Sequence, residues 1–382
     1  MGRVAVAMSG GVDSSVAAAL LVADGHEVVG FTMNLWPTWV SQEGEGQGCC
    51  GIGAIDDARS VARVLGIRHY LLNLRAEFER DVIGHFASEY ARGRTPNPCI
   101  ACNRAIKFDL LWRRVRGLGM ELLATGHYAR VDRSADGRFR LLRAADRRKD
   151  QSYVLAALTQ DQLAHLRFPV GAYTKPQIRE IARRHGLCVA DKPDSQEICF
   201  VPGGDYAAVV ERFAPHALRP GPIYDLGGRR LGEHHGLARY TVGQRRGLGL
   251  GGGGAWYVVQ IDPGRNALTV GDAASVQCPE LVAGEVNWIA IPRLEGPRRV
   301  GVRIRHASVD VPALIAPAPE GRVAVRFETW PRAAAPGQAA AFYDGEIVLG
   351  GGVIEEVRMH APVPDSGLAV ASAGPESMGR VC

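Results

Sequence analysis

The chain lacks any apolar run of membrane-spanning length, any G-x-x-x-x-G-K-[ST] phosphate loop, any second C-x-x-C pair and any convincing internal repeat. The first absence excludes a helical membrane protein. The second excludes the Walker route to nucleotide phosphates. With one C-x-x-C and no fourth ligand at motif spacing, a structural zinc site is disfavoured. Cysteine itself is scarce, eight in 382 residues, too few for a disulfide scaffold of this length. The cysteines cluster at Cys49-Cys50 and at Cys99 and Cys102, which points to redox or metal chemistry in a reducing, cytoplasmic setting. Only Arg3 is charged before the first apolar run, so no signal peptide is expected. The net charge of +5 permits an anionic partner such as RNA without requiring one.

What is present begins at once. The run Val4-Ala5-Val6-Ala7-Met8 leads into Ser9-Gly10-Gly11-Val12-Asp13-Ser14-Ser15 and then Val16-Ala17-Ala18-Ala19-Leu20-Leu21, which reads as strand, tight loop and helix. Two glycines let the backbone turn sharply and approach an anion. Loop N–H groups, the hydroxyls of Ser9, Ser14 and Ser15, and the positive end of the helix would surround phosphate oxygens. The spelling S-G-G-x-D-S resembles the PP-loop of the ATP pyrophosphatases, which split ATP between its α- and β-phosphates.

Length suggests two or three domains. Over residues 1–202, strand-like and helix-like segments alternate: strands at 26–33, 69–74 and 121–125, helices near 55–65, 76–92 and 103–115. Such β-α-β repetition predicts an α/β, doubly wound parallel sheet with ligands at the strands' carboxyl ends. The PP-loop, Met33 and Gly126 fall at such ends and should face one crevice. Residues 203–280 read as a small α+β unit and 281–362 as an all-β barrel of alternating strands with Pro/Gly turns. The Ser/Ala/Gly/Pro-rich residues 363–382 are expected to be disordered. Cys49-Cys50 sits in a glycine-rich loop read as a lid near the nucleotide. The glycines at 247–254 read as a flexible hairpin, and His234-His235 as a solvated loop.

Two cysteine segments sharpen the reading. Thr95-Pro96-Asn97-Pro98-Cys99-Ile100-Ala101-Cys102-Asn103-Arg104 is a proline-stiffened turn running into a helix that starts at Cys102 or Asn103, where exposed N–H groups would favour a thiolate. Asp194-Ser195-Gln196-Glu197-Ile198-Cys199-Phe200 places another cysteine in a polar-to-apolar segment. With the PP-loop, Gly126-His127-Tyr128, Lys149-Asp150-Gln151-Ser152-Tyr153, Thr241-Val242-Gly243-Gln244-Arg245-Arg246-Gly247-Leu248 and Pro336-Gly337-Gln338, the chain to about residue 360 resembles the bacterial tRNA-specific 2-thiouridylases (the MnmA family).

The resemblance implies a reaction in two halves: ATP adenylates the 2-oxygen of the wobble uridine in glutamate, glutamine and lysine tRNAs, then a cysteine persulfide delivers sulfur to C2. It places the persulfide on Cys199 and its nucleophilic partner on Cys102, a pair able to close a disulfide. It assigns ATP to Ala7, Met8, Ser9, Gly10, Gly11, Val12, Asp13 and Ser14 with Met33 and Gly126, and Mg²⁺ to Asp13. It assigns the target base to Asn97, Pro98 and Cys99, and tRNA to Lys149, Asp150 and Gln151 and to Arg305 and His306. The expected partners are tRNA and a sulfur donor, either a cysteine desulfurase or a sulfur-relay protein, acting on a cytoplasmic monomer. Many relatives carry Asp at the position of Cys99; here a thiol stands in that loop. A [4Fe–4S] cluster on Cys99, Cys102 and Cys199 is the alternative chemistry. Another PP-loop tRNA-modifying ATPase that does not need both cysteines, or a non-catalytic RNA-binding module, is the alternative function.

Overall fold

The structure, a computed structural model, describes residues 2–37, 39, 52–194, 198–201, 204–251, 254–306 and 308–359. Cys49, Cys50, part of the glycine run and the tail lie outside the described residues.

Strand β1 (Arg3–Ala7), helix α1 (Val12–Ala23), strand β2 (Glu27–Asn34), helix α2 (Ile52–Val64) and strand β3 (Arg68–Asn73) alternate as expected. The predicted helix over 76–92 is α3 (Arg75–Phe78), a π-helical turn at Glu79–Gly84 and α4 (His85–Ala91). The cysteine helix starts earlier than its sequence suggested. It runs as α5 (Pro98–Ala101), a π-helical stretch Cys102–Leu111 and α6 (Trp112–Gly117), leading to β4 (Leu122–Thr125). After the hairpin β5 (Ala129–Arg133) and β6 (Phe139–Arg143) come α7 (Gln160–His165), β7 (Leu166–Arg167) and α8 (Lys175–Arg184). The first sheet is parallel throughout, in the order β3-β2-β1-β4-β7. Chain order reverses between β1 and β4, and a crevice opens at their carboxyl ends. Val4, Ala5 and Val6 of β1 are fully buried between two apolar layers, as a sheet covered on both faces requires.

After α9 (Tyr206–Phe213), the strands β8 (Gly221–Asp225), β9 (Arg230–His234), β10 (Tyr257–Asp262) and β11 (Ala267–Gly271) form a four-stranded sheet. His234 departs from the solvated loop expected of it. Its ring is buried, with Nδ1 accepting from Gly236 N at 3.1 Å and Nε2 facing the Asn266 carbonyl at 3.0 Å. His235 is exposed.

The last strands are β12 (Glu280–Trp288), β13 (Arg298–Arg303), β14 (Val311–Pro317), β15 (Val323–Phe327), β16 (Ala339–Asp344) and β17 (Ile347–Arg358). They close a six-stranded barrel in the order β12-β15-β14-β13-β16-β17, with β17 pairing back onto β12. Sequence reading missed that β6 pairs with β17, so the β5–β6 hairpin extends the barrel sheet out of the first unit.

Candidate active site

The loop after β1 is shaped by its own hydroxyls. Ser14 Oγ accepts from Ser9 N at 3.1 Å and lies 3.1 Å from the Gly11 carbonyl, while Ser15 Oγ donates to that carbonyl at 2.8 Å. Ser15 is fully buried, so its hydroxyl serves the loop and does not face a ligand, contrary to the sequence reading. Gly11 caps α1 in extended geometry without a side-chain cap bond, which leaves the first-turn N–H groups to the crevice. Gly10 has φ +68°, and a Cβ there would strike the Ala54 carbonyl. At Gly126, just past β4, a Cβ would lie 2.5 Å from Ser14 N. Only glycine lets that turn close against the loop.

Asp13, in the first turn of α1, is gripped from outside the motif. Lys175 Nζ donates to its two oxygens at 2.8 and 2.9 Å, and Tyr128 Oη donates to Oδ1 at 2.7 Å. Burial, with Asp13 beside it, pushes the Tyr128 phenol well above its ordinary range, so it stays a donor. Asp13 thus already serves three donor bonds, and a Mg²⁺ ion held there would share its carboxylate with Lys175 and Tyr128. Lys192 Nζ donates to the Gly10 carbonyl at 3.1 Å and to Asp57 at 2.5 Å, fixing the back of the loop.

The cysteines approach the same place from α5 and from the segment after α8. Asn97 is the helix N-cap, its side chain accepting from Cys99 N and Ile100 N at 3.1 and 3.3 Å, with Pro98 in the first turn. Cys99 therefore occupies the N-terminal turn and Cys102 lies one turn deeper, at the start of the π-helical stretch. This corrects the expectation that Cys102 opens the helix. Cys99 is exposed, Cys102 buried and Cys199 half-buried.

A cavity of about 230 Å³ brings the pieces together. Of the residues assigned to nucleotide, Ala7, Met8, Ser9, Asp13, Ser14, Met33 and Gly126 line it; Gly10, Gly11 and Val12 do not. Pro98, Cys99, Cys102 and Cys199 line it too, as does Gln151, which the resemblance assigns to tRNA. Sequence reasoning missed Lys107 and His127 in its wall and Lys175 behind it. The Thr174-Lys175-Pro176-Gln177 capping box marks where α8 starts, but nothing local ties that lysine to Asp13. Cys278 shows the contrasting case: burial pushes its thiol up to about 12, and Sγ faces the Glu280 carbonyl at 3.2 Å.

His127 packs tilted against Phe108 and edge-on against Phe168, and its Nδ1 lies 2.7 Å from Thr125 Oγ1. Burial, helped by Lys107, holds the imidazole well below its ordinary 6.5. The unfolded chain takes up a proton below pH 6.5 while the folded one does not, so folding stability falls as pH drops below that value. Melting temperature measured from pH 7 to 5 is expected to decline less steeply in His127→Gln than in wild type. His69 and His234, shifted the same way by burial, leave the variant some slope.

Of the remaining assigned residues, Asp150 is the clearest correction. Its carboxylate is buried, accepting from Ala144 N, Ser152 N and Ser152 Oγ and pairing with Arg143 and Arg303. No surface is left on it for tRNA. Lys149 donates to Asp194 at 2.6 Å. Arg305 is exposed and donates to the carbonyls of Arg332 and Ala333, with His306 exposed beside it. None of these four residues lines the cavity.

Residues 2–203 match the family described as tRNA methyl transferase HUP domain, 208–272 the tRNA methyl transferase PRC-barrel domain, and 279–354 the aminomethyltransferase beta-barrel domain. A tRNA-specific 2-thiouridylase MnmA of Pelotomaculum thermopropionicum is 51% identical over 355 residues, covering 92% of this chain and 97% of that one. The chain belongs to the tRNA-specific 2-thiouridylase family. Family proteins of Symbiobacterium thermophilum and Moorella thermoacetica are each 50% identical, over 92% of this chain and 92% and 99% of theirs. The family reading thus spans all three units, from the PP-loop sheet to the barrel.

Proposed function

We propose that the protein is an ATP-dependent sulfurtransferase that replaces the 2-oxygen of the tRNA wobble uridine by sulfur. The observation that carries this reading is the single cavity shared by the PP-loop and the Cys102 and Cys199 segments. Adenylation and sulfur delivery must act on one carbon, so the two machineries must meet. The uridine 2-oxygen attacks the α-phosphorus of ATP and pyrophosphate leaves. The outer sulfur of a Cys199 persulfide then bonds to C2, the C2–O bond breaks, and AMP departs with the oxygen. The Cys102 thiolate then attacks Cys199 Sγ, the bond from Cys199 to the transferred sulfur breaks, that sulfur keeps the electron pair as the 2-thio group, and the resulting Cys102–Cys199 disulfide is later reduced by a thiol. The apolar wall of Met33, Leu35, Phe78 and Phe200 shields the adenylate from water.

The N–H groups at the start of α1 receive phosphate oxygens, and Mg²⁺ enters on the polyphosphate as part of the substrate. Arg148, Lys149, Arg179 and Arg183 line a groove nearby, suited to the tRNA backbone through salt-sensitive contacts. The substrates are glutamate, glutamine and lysine tRNAs, and the sulfur comes from a cysteine desulfurase or a relay protein. The enzyme works as a cytoplasmic monomer; among the described residues no helix is long and apolar enough to cross a membrane. The domain descriptions speak of methyl transfer, but a PP-loop facing two thiols suits thiolation. The iron–sulfur alternative gains no support: among the described residues no three Cys, His, Asp or Glu side chains are grouped to hold a metal.

The test is an assay with ATP, unmodified glutamate tRNA, cysteine and a desulfurase. One AMP and one pyrophosphate per 2-thiouridine is the expected stoichiometry. Cleavage to ADP, or turnover without tRNA, would refute the reading.

A further inference from the structure

Three cysteines stand in the wall of the cavity, Cys99, Cys102 and Cys199, and the sulfur transfer above uses two of them. The third is held firmly. Asn97 Oδ1 accepts from Cys99 N and Ile100 N at 3.1 and 3.3 Å, and Pro98 fixes the backbone just before it. Helix α5 passes directly into the π-helical stretch at Cys102. Cys99 and Cys102 are therefore three residues apart on one continuous helix. Side chains so spaced are neighbours, and their Cα atoms fall within the separation that a disulfide spans.

The depth of the three thiols is graded: Cys99 is exposed, Cys199 half-buried, and Cys102 buried at 7% exposure. A Cys102–Cys199 disulfide closed after turnover hides its Cys102 sulfur from any bulky reductant. Thiol–disulfide exchange proceeds by attack of a thiolate on one sulfur of the pair, and access helps decide which. Attack at Cys199 leaves the carrier capped by the attacker, and a further exchange must follow before it is reloaded. Attack at Cys102 releases the carrier in one step. A thiol one turn away on the same helix can make that attack from inside the site.

We propose that Cys99 is the resolving thiol of this site. Its thiolate attacks Cys102 Sγ, the Cys102–Cys199 bond breaks, and Cys199 leaves with the electron pair. Cys199 takes up a proton in place of the one Cys99 gave up, and is ready to receive sulfur again. The disulfide now spans Cys99 and Cys102, with one sulfur at the exposed first turn. An external dithiol attacks Cys99 Sγ there, is oxidised to its own disulfide, and returns both cysteines to thiols. The proposal rests on the transfer from Cys199 closed by Cys102, and adds the path by which the enzyme is reset.

The experiment loads the full-length protein at Cys199 with cysteine and a desulfurase, removes small thiols, and adds ATP, Mg²⁺ and unmodified glutamate tRNA for one turnover. Acid stops exchange, and peptide mass after alkylation in denaturant locates the disulfide. In wild type most of it is expected between Cys99 and Cys102, with Cys199 alkylated. In Cys99→Ser it is expected to stay between Cys102 and Cys199. With reduced thioredoxin as the only reductant, the steady-state rate of Cys99→Ser, relative to its own single-turnover rate, should fall by about tenfold or more, because an intramolecular thiol is lost. A merely structural defect at the helix start would slow both rates together and leave their ratio unmoved. Wild type that keeps the Cys102–Cys199 disulfide with Cys99 alkylated overturns the proposal. So does a Cys99→Ser variant with the wild-type ratio of rates. Failure of the underlying reading looks different: a turned-over wild type with no disulfide at Cys102 removes the two-thiol transfer, and the resolving step with it.

Discussion

Cys199→Ser and Cys102→Ser are each expected to lower 2-thiouridine formation by roughly 10³-fold or more, since a hydroxyl neither carries sulfane sulfur nor displaces it. Adenylation should survive in both, read as tRNA-dependent exchange of labelled pyrophosphate into ATP. The split between the two half-reactions is the informative result. The cavity puts Cys102 deep and Cys199 half-exposed, so the carrier to be reloaded from outside is Cys199, and persulfide mapping after treatment with a desulfurase should find it there. Cys99→Ser is the necessary contrast, because Cys99, not Cys102, occupies the helix N-terminal turn. Thiolation lost in Cys99→Ser but kept in Cys102→Ser would mean that the two positions exchange roles.

Asp150→Ala should unfold the protein more readily rather than weaken tRNA binding selectively. Its carboxylate reaches Ser152 Oγ at 2.9 Å and Ala144 N at 3.1 Å, and pairs with Arg303 and Arg143 at 3.3 and 3.4 Å. Both guanidiniums also pair with Asp310 and lie over the Tyr343 ring. The cluster thus joins the β6 end of the first unit to barrel strands β13 and β16. Removing one member of a buried ionic cluster costs about 3–5 kcal/mol because its partners stay buried without compensation. Urea unfolding should show that loss, along with a lower melting temperature. An unchanged melting temperature with weakened, salt-sensitive tRNA binding would restore the contact role that the sequence suggested.

How far the sequence could be read follows from the range of each interaction. The PP-loop was legible because strand, glycine turn and helix are contiguous, and the sheet fixes their geometry. The helix start at Pro98 was also legible in principle, since Asn followed by Pro is an N-cap signature. The grip on Asp13 was not legible. Tyr128 and Lys175 lie 115 and 162 residues away, and neither periodicity nor spacing encodes that meeting. The same holds for β6 on β17, a pairing across about two hundred residues, which made a boundary near residue 202 look cleaner than the sheet is. Asp150 misled for a related reason. In sequence it is a polar residue in a polar run, and only the guanidiniums folding back from β6 and β13 bury it.

The central claim is that the uridine 2-oxygen is adenylated and leaves with AMP. The measurement is a single turnover on glutamate tRNA carrying ¹⁸O at the 2-position of the wobble uridine, with the products read by mass. The account predicts one ¹⁸O in the phosphate of AMP and none in pyrophosphate, alongside unlabelled 2-thiouridine. Label released to water or found in pyrophosphate, or 2-thiouridine formed with unlabelled AMP, would contradict it.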